Sequence, residues 1–266
     1  MTRWPPQAVL EAFRLTGTPV ALPGGQGESV RVGDVVLKPA PEVQKTEWLG
    51  EVLTALPESP AFRIATPRRT VQGRFVEQGW QACRWLHGRS TPVGHWDQLL
   101  GAARQFHAAL AGIAPHCTLG MRTHRWAFAD RVAFGEADFD PLPALRPLAD
   151  ALRPWAGPIT EPPALVHGDL SGNVLFSEGQ APAIIDVAPY FRPKAFAEAV
   201  VVVDAWLWYG EGPTLAALLR PPDPPGFLAR ALLFRLVALN ERAREESGLL
   251  QERDLFARAL GFLNVR

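Results

Sequence analysis

Three oxygen-bearing side chains stand at the ends of short apolar runs. Asp169 follows Leu165-Val166-His167-Gly168, Asn173 precedes Val174-Leu175-Phe176, and Asp186 closes Ala183-Ile184-Ile185. Read as strands, these runs bring the two acids and the carboxamide to one end of a small sheet. Carboxylate and carboxamide oxygens suit a hard divalent cation such as magnesium. A further carboxylate beside them can orient a hydroxyl for attack on phosphorus. The chemistry open to this set is therefore metal-dependent phosphoryl transfer, with Asp169 on the acceptor hydroxyl and Asn173 and Asp186 on one or two magnesium ions.

Such chemistry needs a triphosphate donor, and the first third of the chain offers a place for one. Gly25-Gln26-Gly27-Glu28-Ser29-Val30-Arg31-Val32 fits most of the glycine-rich pattern G-x-G-x-x-G-x-V, with Val30 in place of the third glycine. Gly25 and Gly27 allow backbone N–H groups to approach phosphate oxygens with no side chain in the way. Val35-Val36-Leu37-Lys38 follows as a strand, and Lys38 at its inner end can meet the α and β phosphates. Glu47 and Glu51 lie one turn apart on the next helix. Glu51, flanked by Leu49, Val52 and Leu53, is the expected partner of Lys38. The backbone from about Arg84 to Leu86 is expected, by position, to meet the edge of the nucleobase.

The form His167-Gly168-Asp169-Leu170, followed by Asn173-Val174-Leu175 and Ile184-Ile185-Asp186, resembles the aminoglycoside phosphotransferase and choline kinase superfamily more than the protein kinases. The likeness is closest to an actinobacterial subgroup of phosphotransferase-like proteins that carry a similar Gly-Gly-Gln-Gly loop and whose substrate is undefined. It extends from Gly24 to the helix holding Asp204. The resemblance implies a bilobal protein kinase-like fold, Mg2+ as cofactor, ATP or GTP as phosphate donor, and a hydroxylated small molecule as acceptor. An aminoglycoside is one candidate acceptor. Cationic substrates favour an acid-lined pocket, and Glu136, Asp138 and Asp140 form an acidic cluster. Two departures stand out. The kinase pattern places four residues between Asp and Asn, whereas here only Leu170, Ser171 and Gly172 intervene, so the loop must turn more tightly and Gly172 must permit it. Glu198 stands where the family commonly has an Asp that secures the catalytic loop from beneath.

The elements that must position these residues divide the chain in two. Residues 1–86 read as a small antiparallel sheet, with strands at Pro19–Leu22, Ser29–Val32, Asp34–Lys38, Arg63–Ala65, Val71–Val76 and Trp80–Trp85, and one helix over Pro41–Leu56. Residues 87–266 read as mainly helical, with amphipathic or apolar helices over Trp96–Ala111, Arg125–Ala133, Ala144–Leu152, Lys194–Tyr209, Gly226–Glu245 and Leu250–Leu263. The expected fold class is α+β, with a nucleotide-binding N-lobe and a C-lobe that holds the catalytic loop and the substrate-binding helices.

Composition narrows the partners. The 27 basic and 27 acidic residues cancel and the pI is about 7.0, so nothing in the balance favours nucleic acid or an anionic membrane. The most apolar segment, Ala199–Tyr209, is interrupted by Asp204 and is too short to span a bilayer; it reads as a buried helix whose acid needs a partner. Cys83 and Cys117 form no C-x-x-C pair and nothing secretory precedes them, so reduced thiols in the cytoplasm are expected. A nucleotide-binding pseudokinase with a sensing or regulatory role is the second reading. The shortened Asp169 to Asn173 loop and the missing third glycine favour it; the complete set of Lys38, Asp169, Asn173 and Asp186 opposes it.

Overall fold

Alternation of side chains builds the first hairpin. Val30 and Val32 of β2 (Val30–Val32) and Val35 and Leu37 of β3 (Val35–Pro39) are buried on one face, while Val36 and Lys38 take the other. The turn between them is Gly33-Asp34, with Gly33 at φ +59°. The computed structural model describes residues 3–23, 27–155, 157–220, 224–246 and 249–263. Gly25 lies outside them.

The chain forms two compact units. The first comprises Met1–Thr91, His116–Thr118 and Gly172–Val187. Its main sheet is antiparallel: β1 (Val20–Ala21), β2, β3, β7 (Trp80–Arg84) and β5 (Pro67–Arg68) lie in that order, and β6 (Val76–Glu77) pairs with β7. Helix α1 (Gln7–Ala12) puts Val9 and Leu10 against the buried face, where they meet Phe13, Val30, Leu37 and Trp80. Helix α2 (Val43–Thr54) follows β3. The strand expected over Arg63–Ala65 does not join this sheet. Instead β4 (Arg63–Ile64) runs parallel to β10 (Gln180–Ile184), which is antiparallel to β9 (Val174–Ser177). Val71–Val76, also expected as a strand, is mostly turn, because Val71 N–H bonds to Ala12 O and Gly73 N–H to Thr70 O before pairing resumes at Val76.

The second unit comprises Pro92–Pro115, Leu119–Ser171 and Ala188–Arg266. It is mainly helical: α3 (Trp96–Ala109), α4 (Arg125–Ala133), α5 (Arg146–Leu152), α6 (Lys194–Trp208), α7 (Pro224–Glu245) and α8 (Arg253–Leu263). Among its described residues the strands are β8 (Ala164–His167) and β11 (Pro189–Arg192), antiparallel, with Pro189 opposite His167 and Tyr190 opposite Val166. Helices α6 and α7 carry the core: Phe196 to Leu207 and Gly226 to Asn240 are continuously buried. A helix buried on every side needs an internal partner for each charge it carries. The chain is thus α+β in two units, the first built on a six-stranded antiparallel sheet with one long helix and the second mainly helical.

Candidate active site

In the first unit, strand alternation places Lys38 beside Cys83, since Val36 pairs with Cys83 and Lys38 with Gln81 across β3 and β7. Burial lowers the Lys38 ammonium pKa from its ordinary value, and Cys83 opposes the shift. Burial likewise pushes the Cys83 thiol up, with Lys38 opposing. Lys38 forms an ion pair with Asp186. Asp186 sits just past β10 at φ +48°, a left-handed conformation that Asp tolerates better than most residues. The hairpin brings Asn173 to the same end, because Ile185 N–H donates to the Asn173 carbonyl at 2.9 Å. Two of the three residues first singled out therefore stand together with the lysine. A carboxylate and a carboxamide are hard oxygen donors, and magnesium commonly takes only one or two protein ligands beside phosphates and water, so this donor set fits it.

The expected Lys38–Glu51 pair is not formed. Glu51 is exposed, and its two oxygens take Arg69 Nη1 at 3.0 Å and Nη2 at 2.5 Å. Glu47, one turn earlier, faces inward, where its carboxylate accepts the backbone N–H groups of Phe75 and Val76, each at 2.9 Å. The flanking Leu49, Val52 and Leu53 do bury one side of α2, but Glu51 lies off that side. Of the other nucleotide-side residues, Gly27 adopts φ +71°, which glycine alone enters without strain. Arg84 is exposed, and its N–H donates to Thr66 O at 2.9 Å; Trp85 N–H donates to Asp34 O at 2.7 Å. Leu86 is buried with Leu175 and Ala183, and the half-buried Ala65 and Ile185 pack on that cluster.

In the second unit, Gly168 passes so close to Tyr190 that a Cβ there would come within 2.3 Å of the ring. The small residue before Asp169 is thus a packing requirement. His167 is fully buried, and its Nδ1 accepts the N–H of Asp169 at 3.2 Å and of Ala188 at 3.4 Å, which anchors the loop. Gly172, where the chain passes into the segment of the first unit, has φ +83°, a conformation that suits the three-residue spacing. The Asp169 side chain is 48% exposed, and one of its oxygens accepts Arg235 Nη2 at 2.8 Å. The same guanidinium grips buried Asp204 at 2.7 Å through both Nε and Nη2. Asp204, the buried acid expected to need a partner, has one. Burial pushes its carboxyl pKa up against the pull of Arg235. Burial would lower the Arg235 pKa, but the charges of Asp204 and Asp169 overcome it and raise that pKa further.

Glu198 is held by Arg104 of α3, whose Nε and Nη2 reach one oxygen at 2.9 and 2.5 Å. Two acids of the cluster are also engaged: Glu136 shares Arg192 with Asp130, and Asp140 pairs with Arg146 and Arg244. Its support for a cationic acceptor is correspondingly weakened.

Beneath the loop, fully buried His107 accepts the His167 N–H on Nε2 at 3.0 Å, so its proton sits on Nδ1, which has no partner among the described residues. Burial lowers its pKa to about 3, with His167 and Lys194 adding to the effect. A folded-state value below the unfolded 6.5 means that stability is full above pH 6.5 and is lost as pH falls. From pH 7 to 5 the loss is about 2 kcal/mol. His107→Gln, which keeps an acceptor but cannot ionise, is expected to flatten the dependence of Tm on pH in that window. An unchanged slope would assign the acid sensitivity elsewhere.

No protein of curated function matches the sequence. Solved structures do. A spectinomycin phosphotransferase in complex with ADP and spectinomycin superposes at TM-score 0.64, with 15% identity over 96% of this chain and 95% of that one. An aminoglycoside phosphotransferase from Alicyclobacillus acidocaldarius subsp. acidocaldarius gives 0.63, at 16% identity over 99% and 95%. A microcompartment-associated aminopropanol kinase gives 0.60, at 14% over 97% and 94%. At these identities the likeness is one of fold. The sequence profile of the phosphotransferase enzyme family matches residues 21–211, a span that holds Lys38, Asp169, Asn173 and Asp186, and on that match the chain belongs to this family.

Proposed function

We propose that the protein transfers the γ-phosphate of ATP or GTP to a hydroxyl of a small molecule. The observation that carries this reading is the grouping of Lys38, Asn173 and Asp186 in one unit, with Asp169 four residues before Asn173 in the chain. Lys38 binds donor phosphates as a compact charge. Gly25 and Gly27 supply backbone N–H groups to the same phosphates, and Leu86, with Ala65 and Ile185 at its side, meets the nucleobase. Arg84 N–H is already bonded to Thr66 O, so its share in nucleobase binding rests on other atoms. Glu51 has its Arg69 partner and contributes at most through the placement of α2. Asn173 and Asp186 would hold magnesium, which when bound supplies positive charge against the phosphate oxygens.

Asp169 orients the acceptor hydroxyl and takes its proton. Because the transition state is loose, placement of the nucleophile matters more than the strength of the base. The structural neighbours' own substrates, spectinomycin and aminopropanol, are hydroxyl compounds by chemistry and support an alcohol acceptor here. An aminoglycoside-like acceptor remains within that class, although Glu136 and Asp140, two of the three acids named for it, are paired with arginines. The pseudokinase reading draws on two features, the short loop between Asp169 and Asn173 and Val30 in place of the third glycine of the phosphate loop.

A screen of hydroxylated metabolites and antibiotics for release of ADP or GDP tests the proposal. We expect one chemical class to raise release well above the rate with water alone. Magnesium-nucleotide binding with no acceptor-dependent release across the screen favours the sensor, and no nucleotide binding at all defeats both readings.

A further inference from the structure

Helix α7 is apolar and buried from Phe227 to Asn240, yet it carries Arg230, Arg235 and Asn240 inside that stretch. Two of these tie backbone: Arg230 donates to the Ala133 and Gly157 carbonyls, and Asn240 accepts the Leu142 N–H. Arg235 instead faces two carboxylates. Asp204 takes Nε and Nη2 as a bidentate pair, which fixes the plane of the guanidinium. That plane aims Nη2 at Asp169 Oδ1, 2.8 Å away. The rings of Trp126, Phe234 and Trp208 lie 5.1, 5.1 and 5.4 Å from Arg235 Cζ and close off other orientations. Side-chain exposure rises along the chain of charges, from 1% at Asp204 and 4% at Arg235 to 48% at Asp169. A rigid, water-excluded anchor thus ends on a half-exposed acid.

We propose that Arg235 is a positioning residue for phosphoryl transfer: anchored by Asp204, it holds one oxygen of Asp169 in place and so sets the direction in which the other meets the acceptor. The inference rests on the role given to Asp169 above. An aspartate on a loop has two free torsions, and a misplacement of the order of 1 Å in a group that orients a nucleophile can cost about 10²-fold in rate. A guanidinium with its own fixed partner removes that freedom, where a lone surface pair would not.

The test is a cycle of variants with magnesium ATP as donor and water as acceptor, repeated with any acceptor found by the screen. Arg235→Lys is expected to lower kcat by roughly 10- to 10²-fold with the KM for magnesium ATP within about twofold. In an Asp169→Asn background the same substitution is expected to change kcat by no more than about twofold, because Arg235 acts through Asp169. Equal losses in both backgrounds would mean that Arg235 supports only the fold. If Arg235→Lys does not fold, Asp204→Asn, which keeps the shape of the anchor and weakens its grip, enters the same cycle. A second arm does not depend on turnover: in crystals of either variant Asp169 should occupy more than one side-chain conformation, and a single unaltered conformation overturns the proposal. Ordered Asp169 in the wild type, disordered in the variant, with no turnover in either protein, would refute the kinase reading alone.

Discussion

Asp169→Asn is expected to slow acceptor-dependent transfer by roughly 10² to 10⁴-fold, the span usual for loss of a positioned general base. The substitution keeps the shape of the side chain and an oxygen that can accept Arg235 Nη2, so the loop anchored by His167 should survive. What it removes is the charge that draws the hydroxyl proton. Arg235 retains its bidentate Asp204 partner, and a half-exposed pair contributes only about 1 kcal/mol to folding. The variant should therefore remain folded with magnesium-nucleotide affinity close to wild type. Transfer at the wild-type rate would remove Asp169 from the chemistry, and lost nucleotide affinity would place it on the donor side instead.

Asp186→Ala is expected to abolish the magnesium-dependent part of nucleotide binding, a loss of about 10²-fold or more in affinity, equivalent to about 2.7 kcal/mol. The carboxylate is the one charged oxygen donor of the proposed pair, and its removal also deprives Lys38 of its partner. The fold should tolerate the change, because the side chain is 45% exposed and lies past the end of β10. Alanine at φ +48° adds a strain of about 1–2 kcal/mol, within the stability of an ordinary domain. Titration of ATP with and without magnesium reads the effect directly. An unchanged difference between the two titrations in the variant would remove Asp186 from the metal site.

The chain announces its two-lobed fold through local patterns that tertiary structure did not override. Alternating valines around Gly33-Asp34 give the β2–β3 hairpin, and the apolar run from Phe196 to Leu207 gives a buried helix. The candidate site was legible where its residues stand next to each other in sequence. His167, Asp169, Asn173 and Asp186 sit on one β-rich stretch, and Gly172 takes the backbone conformation that its short loop demanded. Long-range partners were not. Asp204 called for a cation, but Arg235 follows 31 positions later on a different helix. Its local signal is a charge inside a largely apolar stretch of α7, which it shares with Arg230. Glu51 and Glu47 share a helix, and spacing alone cannot say which one meets Phe75 and Val76 and which one meets Arg69. That β4 joins β10 rather than the first sheet was not legible either, because a two-residue strand carries no pattern that selects its neighbour.

The most direct test of the central claim, phosphoryl transfer to a small-molecule hydroxyl, is a 31P NMR time course of the wild-type protein with magnesium ATP and a hydroxylated acceptor selected by nucleotide release. A phosphomonoester resonance should grow in step with the ADP β-phosphorus signal and in proportion to the acceptor supplied. Intact ATP throughout, or inorganic phosphate as the sole product whatever the acceptor, would contradict it.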